Sequence, residues 1–93
     1  MADDAIIHNE AESRYELTLE GHKAIAAYRI ENGIANFYHT EVPQALEGRG
    51  IATRLIGAAL AGARERGWKV RPSCPFVRRY FEKHPELDDL LAV

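Results

Sequence analysis

From Glu41 to Ala52 the chain reads Glu-Val-Pro-Gln-Ala-Leu-Glu-Gly-Arg-Gly-Ile-Ala. Two glycines bracket Arg49, directly ahead of a run with helical periodicity. A helix start offers unpaired backbone N–H donors and the positive end of the helix dipole, and both favour phosphate. Glycine lets the backbone come close to an anion and adopt turns closed to other residues. Arg49 can add charge-assisted hydrogen bonds to phosphate oxygens. The run is not a P-loop, because no Gly-Lys-Ser/Thr follows, nor a dinucleotide fingerprint, because Thr53 stands where the third glycine belongs. An isolated Gly-x-Gly is weak. Its placement between a strand and a helix makes it a candidate anion site over Glu47, Gly48, Arg49, Gly50, Ile51, Ala52 and Thr53.

Three further groups bear on chemistry. Cys74 precedes Pro75, hence at or near a helix N-cap, where the dipole stabilises a thiolate. It is expected to lie in the cofactor pocket, with two readings of its role: a group that takes up an acyl or assists a leaving thiolate, or a small buried hydrophobe. His39 and Glu41 share one face of their strand by period two, so either can act as general base toward an amine. The alternative makes His39 structural and Glu41 a solvated rim charge. Arg78, Arg79 and Lys83 follow Cys74 on the same helix, where they can meet a cofactor phosphate or simply face water. His8, His22 and His84 show no ligand spacing with one another or with Cys74, so no metal site is expected.

The elements that must position these groups change character midway. Residues 5–9 read as a short edge strand, 15–19 as a half-buried strand of period two, and 24–30 as a third strand after a turn at 20–23. Asn32-Gly33 is a two-residue hairpin signal, and 34–42 forms a further strand stopped by Pro43. From Gly50, Ala52, Leu55, Ile56, Ala59, Leu60 and Ala63 recur at helical spacing, and Arg64, Arg66 and Gly67 give the stop. Residues 68–71 read as a strand, 75–83 as a helix opened by Pro75, and 86–92 as a final helical turn or two. The order β-β-β-β-α-β-α predicts an α+β layer: a mostly antiparallel sheet with a strand-helix-strand crossover at its centre.

Ninety-three residues suit one domain, 1–93. The uncharged stretch 55–63 is too short for a membrane span, and Met1-Ala2-Asp3-Asp4 lacks a basic signal-peptide start. With a single cysteine, the expectation is a cytoplasmic protein without a disulfide or membrane association. Residues 1–47 hold nine acidic and three basic side chains, whereas 48–93 hold nine basic and five acidic ones. The near-neutral total argues against a general nucleic-acid binder, while the basic half can attract a compact anion.

Val42-Pro43 followed by Glu47-Gly48-Arg49-Gly50-Ile51-Ala52 and Leu55 resembles motif A of the GNAT superfamily of acyl-CoA-dependent N-acetyltransferases. His39 to Pro43 and Pro72-Ser73-Cys74-Pro75 look most like its short YjdJ-type branch, a likeness running from about Asn36 to Pro85. The resemblance implies a GNAT-like fold, acetyl-CoA or CoA as cofactor, an amine acceptor, and Val42 pairing its main chain with the pantetheine arm. Two departures stand out. The family's leading Gln/Arg falls on Ala45, with Gln44 one place early, and its thiolate-protonating tyrosine falls on Phe81, beside Tyr80. The chain is also shorter than usual, lacking helices that often wall the acceptor site. A non-catalytic CoA-binding module acting through a partner is the alternative, and either monomer or homodimer fits.

Overall fold

Glu20-Gly21 and Asn32-Gly33 each place two consecutive residues at positive φ (54° and 77°, then 54° and 79°), the conformation a two-residue hairpin needs. They fold the first half of the chain into an antiparallel meander. The first of these turns is tighter than the sequence reading, which spread it over 20–23. In the computed structural model, which describes residues 5–92, the strands are β1 (Ala5–Asn9), β2 (Arg14–Leu19), β3 (His22–Glu31) and β4 (Ile34–Glu41). Helix α1 (Ile51–Glu65) crosses over to β5 (Lys69–Pro72), and α2 (Pro75–Lys83) follows. The sheet order is β1-β2-β3-β4-β5, antiparallel except for the parallel β4–β5 pair. This is the expected α+β architecture.

Three short 3₁₀ segments were not expected as such. Glu10–Glu12 joins β1 to β2, Gln44–Leu46 follows Pro43, and Pro85–Leu90 replaces the anticipated last α-helical turns. The last one protects an edge. Leu91 bridges to Val70 and the Ala92 N–H donates to the Val70 carbonyl at 2.8 Å, so β5 is not left bare.

Both helices feed one core. Leu55, Ile56, Ala59, Leu60 and Ala63 of α1, with Val77 and Phe81 of α2, pack on Tyr15, Leu17, Ala24, Ala26, Tyr28, Phe37 and Val70 of the sheet. The opposite face carries Glu16, Arg29, His39 and Glu41, and no described helix covers it. Glu16 is nonetheless only 6% exposed, roofed by Arg14 (Nε to Oε2, 2.6 Å), Asn9 (3.0 Å) and Lys23 (3.5 Å). The hydrogen bonds from Arg14 and Asn9 hold its carboxyl below the ordinary value. None of the described helices is long and apolar enough to cross a membrane.

Two glycines inside α1 look out of place by propensity, and tyrosines account for them. A Cβ at Gly62 would lie 3.0 Å from Tyr15 Cζ and 3.3 Å from Cε2, against a ring locked in the core. A Cβ at Gly57 would meet only the Tyr80 hydroxyl, at 2.9 Å, with the ring carbon Cζ already 3.7 Å away. We therefore expect Gly62→Ala to destabilise the fold by about 1–3 kcal/mol through overpacking. At Gly57 the alanine helix-propensity gain of up to about 1 kcal/mol offsets the shift of a mobile ring tip. Urea denaturation of the two variants checks this; equal losses would refute it.

A second expectation concerns pH. His8 stacks on Tyr15 (4.1 Å between centroids) and shares a 2.5 Å hydrogen bond with the Tyr28 hydroxyl. Burial pushes its pKa below the ordinary 6.5, the Arg66 guanidinium pushes the same way, and Glu10 opposes both. A lowered folded pKa means the unfolded chain takes up the proton first. The stabilisation is full above about pH 6.5 and is lost as pH falls below it. Melting temperatures between pH 7.5 and 5 should fall with acidification, and His8→Gln should flatten that slope.

Candidate functional site

Strands β4 and β5 pair in parallel from Ile34 with Lys69 to Phe37 with Pro72, and there they part. The reason is local. Pro72 has no amide hydrogen to continue the ladder, and the Ser73 N–H turns back to the Arg71 carbonyl at 3.1 Å. The Cys74 N–H then closes the end of the pairing on the Phe37 carbonyl at 2.9 Å, and Pro75 opens α2. Strand β4 continues to Glu41, paired with β3 on one side and with no strand on the other.

A bulge decides what this overhang presents. Ala27 pairs with His39 and Tyr28 with Phe37, leaving Tyr38 as the extra residue. Beyond it the alternation is reset, so Thr40 joins Phe37 on the core side while His39 and Glu41 face outward together. His39 Nε2 lies 3.7 Å from Glu41 Oε1, and both side chains are exposed. Tyr38 lies under the Arg29 guanidinium at 4.3 Å from its ring centroid.

A cavity of about 510 Å³ occupies the gap. Thr40, Val42 and Leu46 line it, Gly48, Gly50, Ile51, Ala52 and Thr53 bring the start of α1 to it, and Phe76 borders it from α2. Glu41 and Glu47 also reach it. Gly50 is the N-cap of α1 at φ +70°, so no side chain caps the helix, and the backbone ladder begins only with the Arg54 N–H on the Gly50 carbonyl at 3.1 Å. Among the described residues, no protein acceptor engages the amides of Gly48 to Thr53. Five of these six residues, all but Arg49, line the cavity, at the end where the helix dipole is positive. Gly48 and Gly50 sit at φ +83° and +70°, and a Cβ at either would meet nothing within 4 Å. Glycine is needed there for its backbone conformation rather than for want of space.

The other expected residues are placed differently. The Arg49 side chain leaves the loop for Glu20 at 2.8 Å, and this hydrogen bond draws the Glu20 carboxyl below its usual value. Arg79 lines a neighbouring groove rather than the cavity. Cys74 was expected on the pocket wall; it is 3% exposed and lies behind Thr40, its thiol donating to Thr40 Oγ1 at 3.3 Å. As the N-cap of α2 it makes no side-chain capping bond. Phe81 is in the core, and Tyr80 stacks on His84 at 4.2 Å, so neither lines the cavity. Among the described residues no cluster of three or more His, Cys, Asp or Glu could hold a metal.

Sequence reasoning missed Thr40, Leu46 and Phe76. The bulge hid Thr40, because strict alternation puts the wrong parity inward after Tyr38. Phe76 carried a usable signal: a bulky apolar residue in a first helical turn, off the Val77/Phe81 core stripe.

Unengaged helix-start amides suit an anion, and the free β4 edge suits an extended chain that can pair with it. Residues 14–90 match the family described as GCN5-related N-acetyl-transferase, so the chain belongs to that family. The protein NATD1 of Mus musculus is 32% identical over 81 residues, spanning 84% of this chain and 74% of that protein. Human NATD1 is also 32% identical over 81 residues, covering 72% of its length. The solution structure of a GCN5-like protein from Staphylococcus aureus superposes with a TM-score of 0.74 at 27% identity, over 99% of this chain and 91% of that one.

The position of Cys74 gives a direct check. A charged thiol reagent should label it at least about 100-fold more slowly in the native protein than in 6 M guanidinium, because only a solvent-accessible thiolate reacts. Equal rates would put the thiol on the surface and refute the placement.

Proposed function

On that family membership and on the uncapped amides beside the open β4 edge, we propose that the protein binds acetyl-coenzyme A and transfers its acetyl group to an amine. The observation that carries this reading is that five residues with unengaged N–H donors line a cavity of about 510 Å³. The amides of Gly48 and of Gly50 to Thr53 would hold the diphosphate. The main chain at Val42 and the β4 edge before it would pair with the pantetheine amides as an added strand. When bound, acetyl-coenzyme A supplies an acetyl group activated as a thioester.

The chain itself contributes orientation and proton handling. A backbone donor on the β4 edge, aimed at a carbonyl oxygen, stabilises charge that develops there. Glu41 borders the cavity and His39 lies 3.7 Å from its carboxylate toward solvent, so either can take a proton leaving an amine, directly or through water. The carboxylate also draws a cationic acceptor to the rim. The acceptor side is the bare sheet face, which suits an amine carried on a larger molecule as readily as a small one. Thr40, with Cys74 behind it, lies on the overhang and lines the cavity, and its hydroxyl would donate to a leaving thiolate held there.

A second reading keeps the binding and drops the transfer. It is favoured by one observation: no tyrosine lines the cavity among the described residues, Phe81 being in the core and Tyr80 turned to His84.

Melting with acetyl-CoA, CoA, ATP and NAD tests the binding. At about 100 times the dissociation constant a ligand stabilises by about 2.7 kcal/mol, a shift of roughly 10–20 °C in a domain this size. We expect such a shift with both CoA species, and its loss in Gly50→Val, whose β-branched side chain opposes the left-handed backbone. No shift with either would overturn the proposal. Release of free thiol across a panel of amines then separates the readings: turnover abolished by Glu41→Gln supports transfer, and binding without turnover supports the module.

A further inference from the structure

Ten of the twelve lysine and arginine side chains have an interaction partner within the protein; apart from Arg54, these are carboxylates, main-chain carbonyls or, for Arg29, the Tyr38 ring. Arg79 and Lys83 are the two with no partner among the described residues. They stand one turn apart on α2, and both line the same groove of about 290 Å³ between that helix and the start of α1. No carboxylate lines this groove, whereas the larger cavity has two. The two spaces adjoin across a shared wall of Ala52, Thr53 and Phe76. Two like charges at this spacing repel, and no described carboxylate pairs with either.

We propose that this groove is a phosphomonoester subsite, and that through it the protein distinguishes coenzyme A from its 3′-dephospho form. The inference rests on the reading above, in which a diphosphate sits on the amides at the start of α1. The chemistry of the two spaces differs in the way such a ligand requires. A diphosphate ester in the larger cavity is met by partial charges on backbone amides. A ribose phosphomonoester carries nearly two negative charges at neutral pH, and matching it takes full cations. Arg79 and Lys83 supply them, and Thr53 on the shared wall offers a hydroxyl donor. Selectivity then comes from two charges that lack a counter-charge without the ligand and gain one with it.

Isothermal titration with CoA and with 3′-dephospho-CoA reads this directly. We expect the wild-type protein to bind CoA at least about 10-fold more tightly, in line with two charge-assisted contacts at a part-exposed site. The double variant Arg79→Gln/Lys83→Gln should bring the two affinities within about twofold, by weakening CoA rather than by strengthening the dephospho form. Arg78→Gln removes one charge from the adjacent position, where the guanidinium bonds the Ser73 carbonyl instead, and should keep the preference. Equal wild-type affinities, a preference that survives the double variant, or the same loss in Arg78→Gln would each overturn the subsite while leaving the diphosphate site standing. Failure to bind either compound would overturn both. Unliganded melting curves of the variants establish that each is folded.

Discussion

Everything at the candidate site depends on two neighbouring strands that stop pairing while one of them continues. Pro72 cannot extend the β5 ladder, and the Cys74 amide seals its end on Phe37. Strand β4 is left with a bare edge from Tyr38 to Glu41 at the centre of a sheet, where an unpaired edge is otherwise a liability. A sheet interior tolerates such a gap when something else satisfies the exposed main chain. Here the gap opens onto a cavity that ends at uncapped helix amides, so both sets of unmet hydrogen bonds face one space.

The charges of the chain make sense only in three dimensions. Along the sequence, the acidic first half and basic second half suggest a protein with one positive side. Folded, Arg49 meets Glu20, Arg66 meets Glu10 and Arg71 meets Glu31, each joining a basic residue of the second half to an acidic one of the first. These exposed pairs stabilise little and are screened by salt. Their effect is to cancel the asymmetry almost everywhere, which isolates the few cations that remain unmatched. Arg49, the residue in the glycine loop most expected to hold an anion, is one of those spent on pairing. The loop is left to act through its backbone.

The open face of the sheet is the other feature that shapes the site. All described helices lie on the core side, so Glu41 and His39 stand on a face that none of them covers. The bulge at Tyr38 makes that possible. With strict alternation His39 and Glu41 would continue the inward row of Ala35 and Phe37, burying two ionisable groups without partners. One extra residue turns them out and brings Thr40 in, next to Cys74.

How much was legible beforehand follows from the range over which each feature is encoded. Both helices and the hairpin at Asn32-Gly33 are set by residues within a few positions of one another, through periodicity, glycine at positive φ and proline at a helix start, and the strand-helix-strand order then implies the parallel crossover. The glycine loop before α1 was legible for the same reason: a strand, two glycines and a helix are local facts. The direction of Arg49, the depth of Cys74 and the face taken by His39 and Glu41 were not, because each depends on a partner 29 or 34 residues away or on strand register. Sequence by itself determined which main-chain amides would go uncapped, since capping is a property of adjacent residues. Tertiary structure decided which side chains reach the space in front of them, since that turns on long-range pairing and on a single bulged residue that no local pattern marks.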